Sequence, residues 1–400
     1  MTHLIVGAGI SGLYTAYKLL NKDINNITII EKSKRFGGRI KTINHKSYRY
    51  DVGAGRLGKK QKLVMKLIKE FNLEHLMVDI NPNKHYFVDN QMLNEKELLE
   101  YYNSKFKSLG GLWTYVITFK TNQNPRKFSF HNYISLFLDK NEINVLERSL
   151  GYINEMYRLN AYDAMYTLKK DFDVKDNDFF ILKGGLHILC QSLYDYLKSK
   201  NVTIQFNTSL QDIQDNYILT NHNNKIKYSK LYLAVCKKAY MSIPYFIPHK
   251  ELFDTVSVGN LLRIYAKYDV SKNSWMKKII KTTTDNKLQF IIPIKEDLIQ
   301  ISYSDDYIAN FWNSLPERET INQITRCLKE MFPNDTVAEP LWITKHYWCC
   351  GSHFWKPGVN SDKTIKEINK IDKNIYIVGE IYSKRQAWIE GALESVEGIM

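Results

Sequence analysis

The chain has 400 residues, of which 44% are hydrophobic and 13% aromatic, so a folded interior is expected and a disordered chain is excluded. This length exceeds what one ordinary core fills and predicts two domains. Lysine and arginine number 56 against 42 acidic residues, a formal net charge of +14. The surplus would suit nucleic acid, an anionic membrane surface or acidic substrates, or it marks a solvated lysine-rich surface. No helix-turn-helix, zinc or RNA-recognition pattern accompanies it, so neither a nucleic-acid partner nor a metal site is predicted.

The cysteines are few and scattered: Cys190, Cys236, Cys327, Cys349 and Cys350. An odd, scattered set indicates free thiols in a reducing compartment rather than a disulfide framework. The first strand begins at about His3, so no signal peptide is expected. No apolar run reaches the ~18 residues that a membrane-spanning helix needs. We therefore expect a cytoplasmic protein with no membrane span; the sequence makes no prediction of its oligomeric state.

In chain order, the predicted elements begin with a compact βαβ unit. Its strand, helix and second strand cover residues 3–6, 11–20 and 26–30. The segment 95–171 is mostly helical in pattern, and a Gly-Gly loop at 184–185 leads into a helix that ends near residue 200. Further strands are predicted at 202–206, 231–235 and 375–378. Short alternating runs over 255–305 indicate an antiparallel sheet, and a last helix begins near Glu390.

A GxGxxG motif joins the first strand to the first helix, and it comprises Gly7, Ala8, Gly9, Ile10, Ser11 and Gly12. The first glycine permits a tight turn, the second lets the backbone approach a pyrophosphate, and the third lets the helix pack against the sheet. The helix N-terminus then offers N–H groups and a partial positive charge to the phosphates. Glu31 ends the next strand, where its carboxylate can accept both ribose hydroxyls. The sequence therefore predicts a dinucleotide site.

Two further glycine-rich stretches follow, and nicotinamide enzymes have no particular need of them. The first contains Gly37, Gly38 and Arg39, in which a Gly-Gly pair brings backbone to the ligand and the arginine can neutralise a diphosphate. The second contains Gly53, Ala54, Gly55 and Arg56. FAD needs such stretches because its second phosphate and ribityl chain extend further across the sheet. The order of the motifs therefore predicts FAD.

The ordered set of motifs resembles the flavin-containing amine oxidases, a superfamily that includes monoamine, polyamine and L-amino-acid oxidases. Besides the stretches above, the resemblance rests on Leu-Lys-Gly-Gly at 182–185, on Gly379-Glu380 and on WIEGALES at 388–395. It implies an α/β fold, with a Rossmann-like FAD-binding domain and an interleaved mixed α+β substrate domain. The expected FAD-binding domain covers 1–75, 176–235 and 371–400, and the substrate domain covers 76–175 and 236–370, forming a roof over the isoalloxazine.

The resemblance also implies further contacts with the cofactor. Leu210, where the family usually has valine, would contact the adenine through its backbone. Gly379 and Glu380 would lie near the ribityl chain or the diphosphate. The backbone from Trp388 through Ile389 to Ala392 would face the pyrimidine edge of the flavin, where a helix N-terminus stabilises the negative charge of the reduced ring.

On the substrate side, the resemblance assigns three candidate catalytic residues. Trp388 stands where the family places an aromatic ring that orients the amine, or it packs as core. Arg263 replaces an expected lysine; it would anchor an anionic group, alter oxygen reactivity or form an interior ion pair. Arg56 matches a Gly-x-x-Arg order with which amino-acid oxidases clamp the substrate carboxylate, or it pairs with FAD phosphate or a surface acid.

Cys350 lies eight residues before Gly358, in the register of the cysteine that some relatives bond to the flavin. The flanking residues match poorly, so Cys350 is a weak candidate for a covalent link, and His353 nearby would line the substrate channel or be a satisfied imidazole.

The expected function is oxidation of a C–N bond of an amine or amino acid by hydride transfer to flavin N5. Reoxidation of the reduced flavin by O2 would give H2O2. Two alternatives stay open. One is a related desaturase or protoporphyrinogen-type oxidase, and the other is a non-catalytic FAD-binding protein, which the missing lysine would favour. The basic surface disfavours polyamine substrates because like charges repel.

Overall fold

The structure is a computed structural model that describes residues 2–171 and 179–400. Its strands are β1 (His3–Val6), β2 (Ile27–Ile30), β3 (Thr42–His45), β4 (Tyr48–Asp51), β5 (Leu57–Gly58), β6 (Met77–Asp79), β7 (His85–Val88), β8 (Gln91–Leu93), β9 (Phe179–Leu182), β10 (Thr203–Gln205), β11 (Leu210–Ile213), β12 (Tyr217–Thr220), β13 (Lys225–Lys227), β14 (Lys230–Leu233), β15 (Val256–Lys267), β16 (Thr282–Thr284), β17 (Phe290–Pro293), β18 (Leu298–Asp305), β19 (Trp342–Trp355) and β20 (Ile375–Ile377).

The α-helices are α1 (Ile10–Leu20), α2 (Lys62–Glu70), α3 (Glu95–Tyr101), α4 (Leu109–Thr118), α5 (Phe130–Ile134), α6 (Lys140–Leu150), α7 (Ile153–Tyr157), α8 (Ala161–Asp171), α9 (His187–Ser199), α10 (Lys237–Tyr240), α11 (Lys250–Phe253), α12 (Asp306–Ser314), α13 (Glu317–Met331), α14 (Ser361–Ile368) and α15 (Ile389–Glu397). Among the described residues, no helix combines the length and the apolar character needed to cross a membrane.

The chain divides into two compact units, each assembled from separate stretches of sequence. The first unit comprises Met1–Ile80, Asp178–Val258 and Cys350–Met400, and the second comprises Asn81–Asn177 and Gly259–Cys349. The long strands β15 and β19 each contribute residues to both units.

The first unit is built on a parallel sheet with the strand order β10-β2-β1-β14-β20. Its central strands are apolar, as parallel strands with both faces covered should be; Ile5, Ile29 and Leu231 are fully buried. Helix α1 packs against α9 and α15. Because the strands are parallel, their carboxyl ends meet at one edge of the sheet, where ligands bind in folds of this type. Smaller antiparallel groups complete the unit: β3-β4, β5-β9-β6 and β11-β12-β13.

The second unit contains most of a seven-stranded sheet, in the order β19-β15-β18-β17-β16-β7-β8. Its core joins sheet residues such as Ile264 and Ile301 to Trp312 and Leu328 on helices α12 and α13. Strands β15, β18, β17 and β16 pair antiparallel, as the alternating pattern predicts. Strand β16 also pairs in parallel with β7, a long-range contact that the local pattern does not indicate.

The predicted α/β class with a Rossmann-like unit is confirmed, and the predicted elements occur in the predicted order. The unit boundaries differ from the domain boundaries drawn from the sequence, because residues 236–258 and 350–370 pack in the first unit. Tyr240 donates its hydroxyl to the carbonyl of Leu233 at 2.8 Å, and the Trp355 indole donates to the carbonyl of Ser383 at 2.9 Å. The first bond ties residues 236–258 to the end of β14, and the second ties residues 350–370 to the segment that follows β20.

Candidate active site

The first glycine turn places the N-terminus of α1 at the carboxyl end of β1. Gly9 is the N-cap residue; no side chain caps this end, and no acidic residue lies in the first turn. A Cβ on Gly12 would lie 1.9 Å from the carbonyl oxygen of Gly7, so only glycine lets the helix pack against the turn here. Ser11 is buried in the same turn. The uncapped N–H groups and the helix dipole suit an anion such as a pyrophosphate.

Glu31 is buried at the carboxyl end of β2 and is fixed by two backbone amides. Its Oε2 accepts from Ala8 N at 2.8 Å, and its Oε1 accepts from Ser33 N at 2.9 Å. A carboxylate has about four lone-pair sites, so two stay available for ribose hydroxyls. Thr208 donates its amide to the Glu31 carbonyl at 2.9 Å, which brings Leu210, at the start of β11, into the same region.

The second glycine stretch lies directly on the first. The Gly37 amide donates to the carbonyl of Ala8 at 2.8 Å. Gly38 has a φ of +55°, and a Cβ there would lie 3.2 Å from the Cα of Gly9. Two bare backbones therefore face each other, and a ligand can approach both closely.

The third stretch, from Gly53 through Ala54 and Gly55 to Arg56, packs on the second. Ala54 donates its amide to the carbonyl of Arg39 at 3.0 Å. A Cβ on Gly53 would lie 1.9 Å from that same oxygen. The structure thus brings the three glycine-rich stretches of the sequence together at one edge of the parallel sheet.

Glu380 follows β20 and holds three separate segments in what we call the Glu380 cluster: Arg39, His353, Glu380 and Ala387. Its Oε1 lies 2.5 Å from Arg39 Nη1 and 2.5 Å from His353 Nδ1, and its Oε2 accepts from Ala387 N at 2.9 Å. Arg39 also donates to the carbonyl of Gly351 at 3.1 Å. Burial alone would raise the pKa of Glu380, but Arg39 and the His353 ring outweigh it and hold this pKa well below the usual carboxyl range.

Gly379, just before Glu380, lies beside the first turn. A Cβ on Gly379 would be 3.8 Å from Ser11 Oγ, and the Gly379 amide donates to Ser395 Oγ at 2.8 Å. The end of β20 is therefore adjacent to the start of α1 and is bonded to α15.

Helix α15 begins after a backbone turn in which Ala387 has a φ of +65°, a region that non-glycine residues rarely occupy. Trp388 is the N-cap residue, no side chain caps this end, and Ala392 N donates to the Trp388 carbonyl at 3.3 Å within the first turn, which starts at Ile389. The Glu390 carboxylate instead accepts from backbone amides at the start of α2. The α15 N–H groups therefore keep a partial positive charge that suits an electron-rich ring edge.

The Trp388 ring belongs to an aromatic and cationic group that we call the Arg56 cluster: Arg56, Phe179 and Trp388. The Phe179 and Trp388 rings stack with centroids 5.7 Å apart. The Arg56 guanidinium carbon lies 4.6 Å from the Phe179 ring and 5.6 Å from the Trp388 ring. Two of the three predicted catalytic residues are thus close together, and the cation is held against ring faces.

Arg263, the third predicted catalytic residue, lies in the second unit on β15 and is buried. Its Nη1 donates to Gln300 Oε1 at 3.3 Å and lies 3.5 Å from the Tyr265 hydroxyl, and its guanidinium carbon lies 4.4 Å from the Tyr303 ring. Burial alone would lower the pKa of Arg263, but the Tyr265 and Tyr303 hydroxyls outweigh it and raise this pKa. Arg263 therefore stays a cation among polar aromatic neighbours.

Sequence reasoning missed two members of these groups, Phe179 and Ala387. Phe179 starts β9 with no motif around it, and the positive φ of an alanine has no sequence signal. His353 is expected from the sequence to line the channel or to be a satisfied imidazole, and the structure bonds its Nδ1 to Glu380. The one feature of the sequence that could have indicated this bond is the position of His353 three residues after Cys350, the residue aligned with a flavin-linked cysteine. Among the described residues, no group of three or more His, Cys, Asp or Glu side chains is arranged to hold a metal ion.

The residues at the edge of the parallel sheet fit FAD. The uncapped α1 terminus suits its diphosphate, the spare acceptor sites of Glu31 suit its ribose, and the facing backbones of Gly9 and Gly38 form a cradle that side chains would fill. A second uncapped helix terminus, at Trp388, is available for the ring system.

Comparison with known proteins agrees with this geometry. The profile of the family described as flavin containing amine oxidoreductase matches residues 10–231 and 248–396. The chain is 24% identical to an L-amino-acid oxidase of Crotalus adamanteus and 28% identical to one of Sistrurus catenatus edwardsii. Each alignment covers 98% of this chain and 84% of the relative.

Solved structures share the fold over the whole chain. A putrescine oxidase variant with redesigned cofactor binding superposes with a TM-score of 0.79 at 14% identity. A putative protoporphyrinogen oxidase from Exiguobacterium sp. 255-15 superposes with a TM-score of 0.77 at 12% identity. Each comparison covers 100% of this chain and 97% of the other. The chain therefore belongs to the flavin-containing amine oxidoreductases, and it is an FAD-dependent oxidoreductase.

Proposed function

We propose that the protein oxidises the C–N bond of an L-amino acid, with O2 as the electron acceptor and H2O2 as the product. The bound FAD would supply the chemistry by accepting a hydride at N5 from the carbon next to the nitrogen. The observation that carries the proposal is the position of Arg56 against the ring of Trp388. The L-amino-acid oxidases among the relatives support the same substrate class.

Arg56 is the residue that would bind the substrate carboxylate. A guanidinium presents paired N–H donors that match a carboxylate bidentately. Contact with Phe179 and Trp388 orients the guanidinium plane and removes water from part of it, which strengthens a bond to an anion. A plain amine offers no carboxylate to these donors, so amino acids should be preferred.

Trp388 would orient the amino group beside the carboxylate. Trp388 is the N-cap residue of α15, so its ring lies close to the helix end at which we propose the flavin binds. The ring face attracts a cation or a polarised amine. Arg56 and Trp388 together would therefore fix the two ends of an α-amino acid relative to each other.

Arg263 keeps its place in the proposal as a substrate-side cation. It contacts Tyr265, Gln300 and Tyr303, and its positive charge would attract an anion or an electron acceptor. An arginine cannot give up its proton as a lysine can, and it holds water in a planar geometry. Arg263 would then tune oxygen reactivity rather than act as a base.

The cofactor-binding assignments form part of the same proposal. The diphosphate would lie at the α1 terminus and the adenosine ribose at Glu31, with the flavin ring at the start of α15. The proposed FAD contacts are Gly7, Gly9, Ser11, Gly12, Glu31, Gly38, Arg39, Gly53, Ala54, Gly55, Leu210, Gly379, Glu380, Trp388, Ile389 and Ala392; Arg56 is assigned to the substrate rather than to FAD. The free cysteines favour a reducing, cytoplasmic location.

Substitution of Arg56 tests the carboxylate role. Arg56→Met should keep its flavin absorbance but raise the KM for L-amino acids by about 10- to 100-fold, since bonds between charged groups contribute about 1.5–3 kcal/mol. Arg56→Lys should recover part of the loss. Arg49→Met, at an exposed position on β4, is the matched control and should behave as wild type. Loss of flavin from Arg56→Met, or an equal rise in KM for plain amines, would show that Arg56 serves the cofactor or the fold instead.

A further inference from the structure

Two thiols lie beside the Glu380 cluster, and neither FAD binding nor the substrate clamp accounts for them. Cys236 is the residue before α10, and Cys350 lies on the part of β19 that belongs to the first unit. Although far apart in sequence, both lie at the His353 ring: Cys350 Sγ is 3.4 Å from Nε2, and the amide of Lys237, the residue after Cys236, donates to the same nitrogen at 3.3 Å. Both cysteines are free and half-buried, so small molecules can reach them.

A histidine is positioned to take a proton from this pair. The Nε2 atom of His353 lies 3.4 Å from Cys350 Sγ. The Lys237 amide donates to the same nitrogen at 3.3 Å, so Nε2 carries a lone pair, while Nδ1 bonds the Glu380 carboxylate at 2.5 Å. A carboxylate bonded to the far side of the ring fixes this tautomer and directs Nε2 towards the sulfur.

The two thiols differ in their readiness to ionise. Contact with Cys350 lowers the pKa of Cys236 to about 5; burial opposes the shift, and the Ala239 amide, His353 and Arg39 add to it. The pKa of Cys350 is raised by the same contact and by burial. Cys236 therefore ionises more readily than Cys350. This combination of a nucleophile and a resolving thiol characterises peroxide-sensitive cysteines.

We propose that Cys236 and Cys350 are a reversible redox pair that a hydroperoxide oxidises to a disulfide. The Cys236 thiolate attacks one oxygen of H2O2, the O–O bond breaks, and a sulfenic acid and hydroxide form. Cys350 then passes its proton to His353 Nε2, and its sulfur attacks Cys236 Sγ. The S–O bond breaks, and the departing hydroxide takes up a proton to become water. Overall, two thiols lose two electrons and one H2O2 becomes two waters.

The neighbouring Cys349 provides an internal comparison. It is exposed, and as the adjacent residue of a strand it points to the opposite face from Cys350. If exposure alone governed oxidation, Cys349 would be oxidised first. If the surroundings of His353 govern it, Cys236 and Cys350 are oxidised first. The proposal needs only H2O2 as a reagent, so it does not rest on the proposed substrate.

The test uses the full-length, FAD-loaded protein, reduced with a phosphine, freed of reductant and treated with one equivalent of H2O2. Intact mass should show the loss of two hydrogens, and titratable thiols in the denatured protein should fall from five to three. Non-reducing peptide maps should join the peptides of Cys236 and Cys350, and dithiothreitol should reverse the link. A disulfide between Cys349 and Cys350, preferential oxidation of Cys349, or no disulfide at all would overturn the proposal.

Variants separate the two steps. Cys350→Ser should stop at a sulfenic acid on Cys236 that dimedone traps, and Cys236→Ser should form no internal disulfide. Cys349→Ser should behave as wild type. If Cys236→Ser or Cys350→Ser fails to fold, the wild-type peptide map still shows whether these two cysteines form the disulfide. Flavin absorbance that stays with the Cys350 peptide after acid precipitation would show a flavin link at that sulfur and would also refute the proposal.

Discussion

Arg39 Nη1 lies 2.5 Å from Oε1 of Glu380, although 341 residues separate the two in the sequence. The ion pair joins the second glycine stretch to the end of β20, and Glu380 continues it to the turn before Trp388. One buried carboxylate thus connects the proposed diphosphate end of the cofactor site to the proposed ring end.

Replacing Glu380 by Gln should lower the free energy of unfolding by about 3–5 kcal/mol, because it leaves Arg39 without its counter-charge. The effect should depend on pH. The pKa of Glu380 is depressed in the folded state, so its contribution is present above about pH 4.3, the ordinary carboxyl value, and is lost as the pH falls towards the folded-state pKa. The difference in melting temperature between wild type and Glu380→Gln should therefore be constant near neutral pH and narrow as the pH falls from about 4 to about 3. Glu251→Gln, at an exposed position, is the control; a gap that stays constant with pH would contradict this role.

Replacing Glu31 by Ala should weaken FAD binding by about 100-fold or more, because its carboxylate would accept two ribose hydroxyls and each such bond contributes about 1.5–3 kcal/mol. The variant also leaves the amides of Ala8 and Ser33 without their acceptor, which loosens the turn. Flavin fluorescence titration of the apoprotein measures the change. Unaltered FAD affinity in a folded Glu31→Ala protein would remove Glu31 from the site.

Replacing Trp388 should separate its aromatic role from its packing role. Trp388→Phe keeps a ring against Phe179 and Arg56 and should retain most of the turnover. Trp388→Ala loses the ring face, worth about 0.5–2 kcal/mol towards a cation, and should raise the substrate KM by up to about tenfold. Steady-state kinetics at equal flavin content measures both. Equal losses for Phe and Ala would indicate that the indole itself is required.

Replacing Ala387 by Gly should stabilise the protein by about 1 kcal/mol, because glycine adopts a positive φ without the steric cost that alanine bears. Ala239→Gly, in the ordinary helix α10, should instead lower stability by up to about 1 kcal/mol. Thermal melting of the two variants decides the point, and a lower melting temperature for Ala387→Gly would show that the turn is not strained.

Local patterns in the sequence predict the first glycine turn and the position of Glu31 beside it. Gly7, Gly9 and Gly12 lie within one turn, so their spacing alone determines the geometry, and Glu31 ends the adjacent strand. The family resemblance then adds Glu380 and Trp388, near the C-terminal end of the chain, to the predicted site residues.

Contacts between distant residues could not be predicted in this way. Nothing in the spacing brings Cys236 to Cys350, and the domain boundary drawn at residue 236 even separates that thiol from the parallel strands. Phe179 beside Arg56 likewise depends on how β9 packs, and the Ala387 turn depends on the bond that Glu380 accepts. Such contacts arise from tertiary packing, which leaves no local pattern.

Anaerobic mixing of the FAD-loaded protein with matched pairs of substrates tests the central claim most directly. Each pair joins an L-amino acid to the amine that lacks its carboxylate, such as L-phenylalanine with phenethylamine and L-leucine with isoamylamine. We expect the flavin absorbance to bleach with at least one amino acid and far more slowly with its amine. We also expect H2O2 to appear when O2 is admitted. Bleaching by the amines at equal or greater rates, or by no member of a broad panel of both classes, would contradict it.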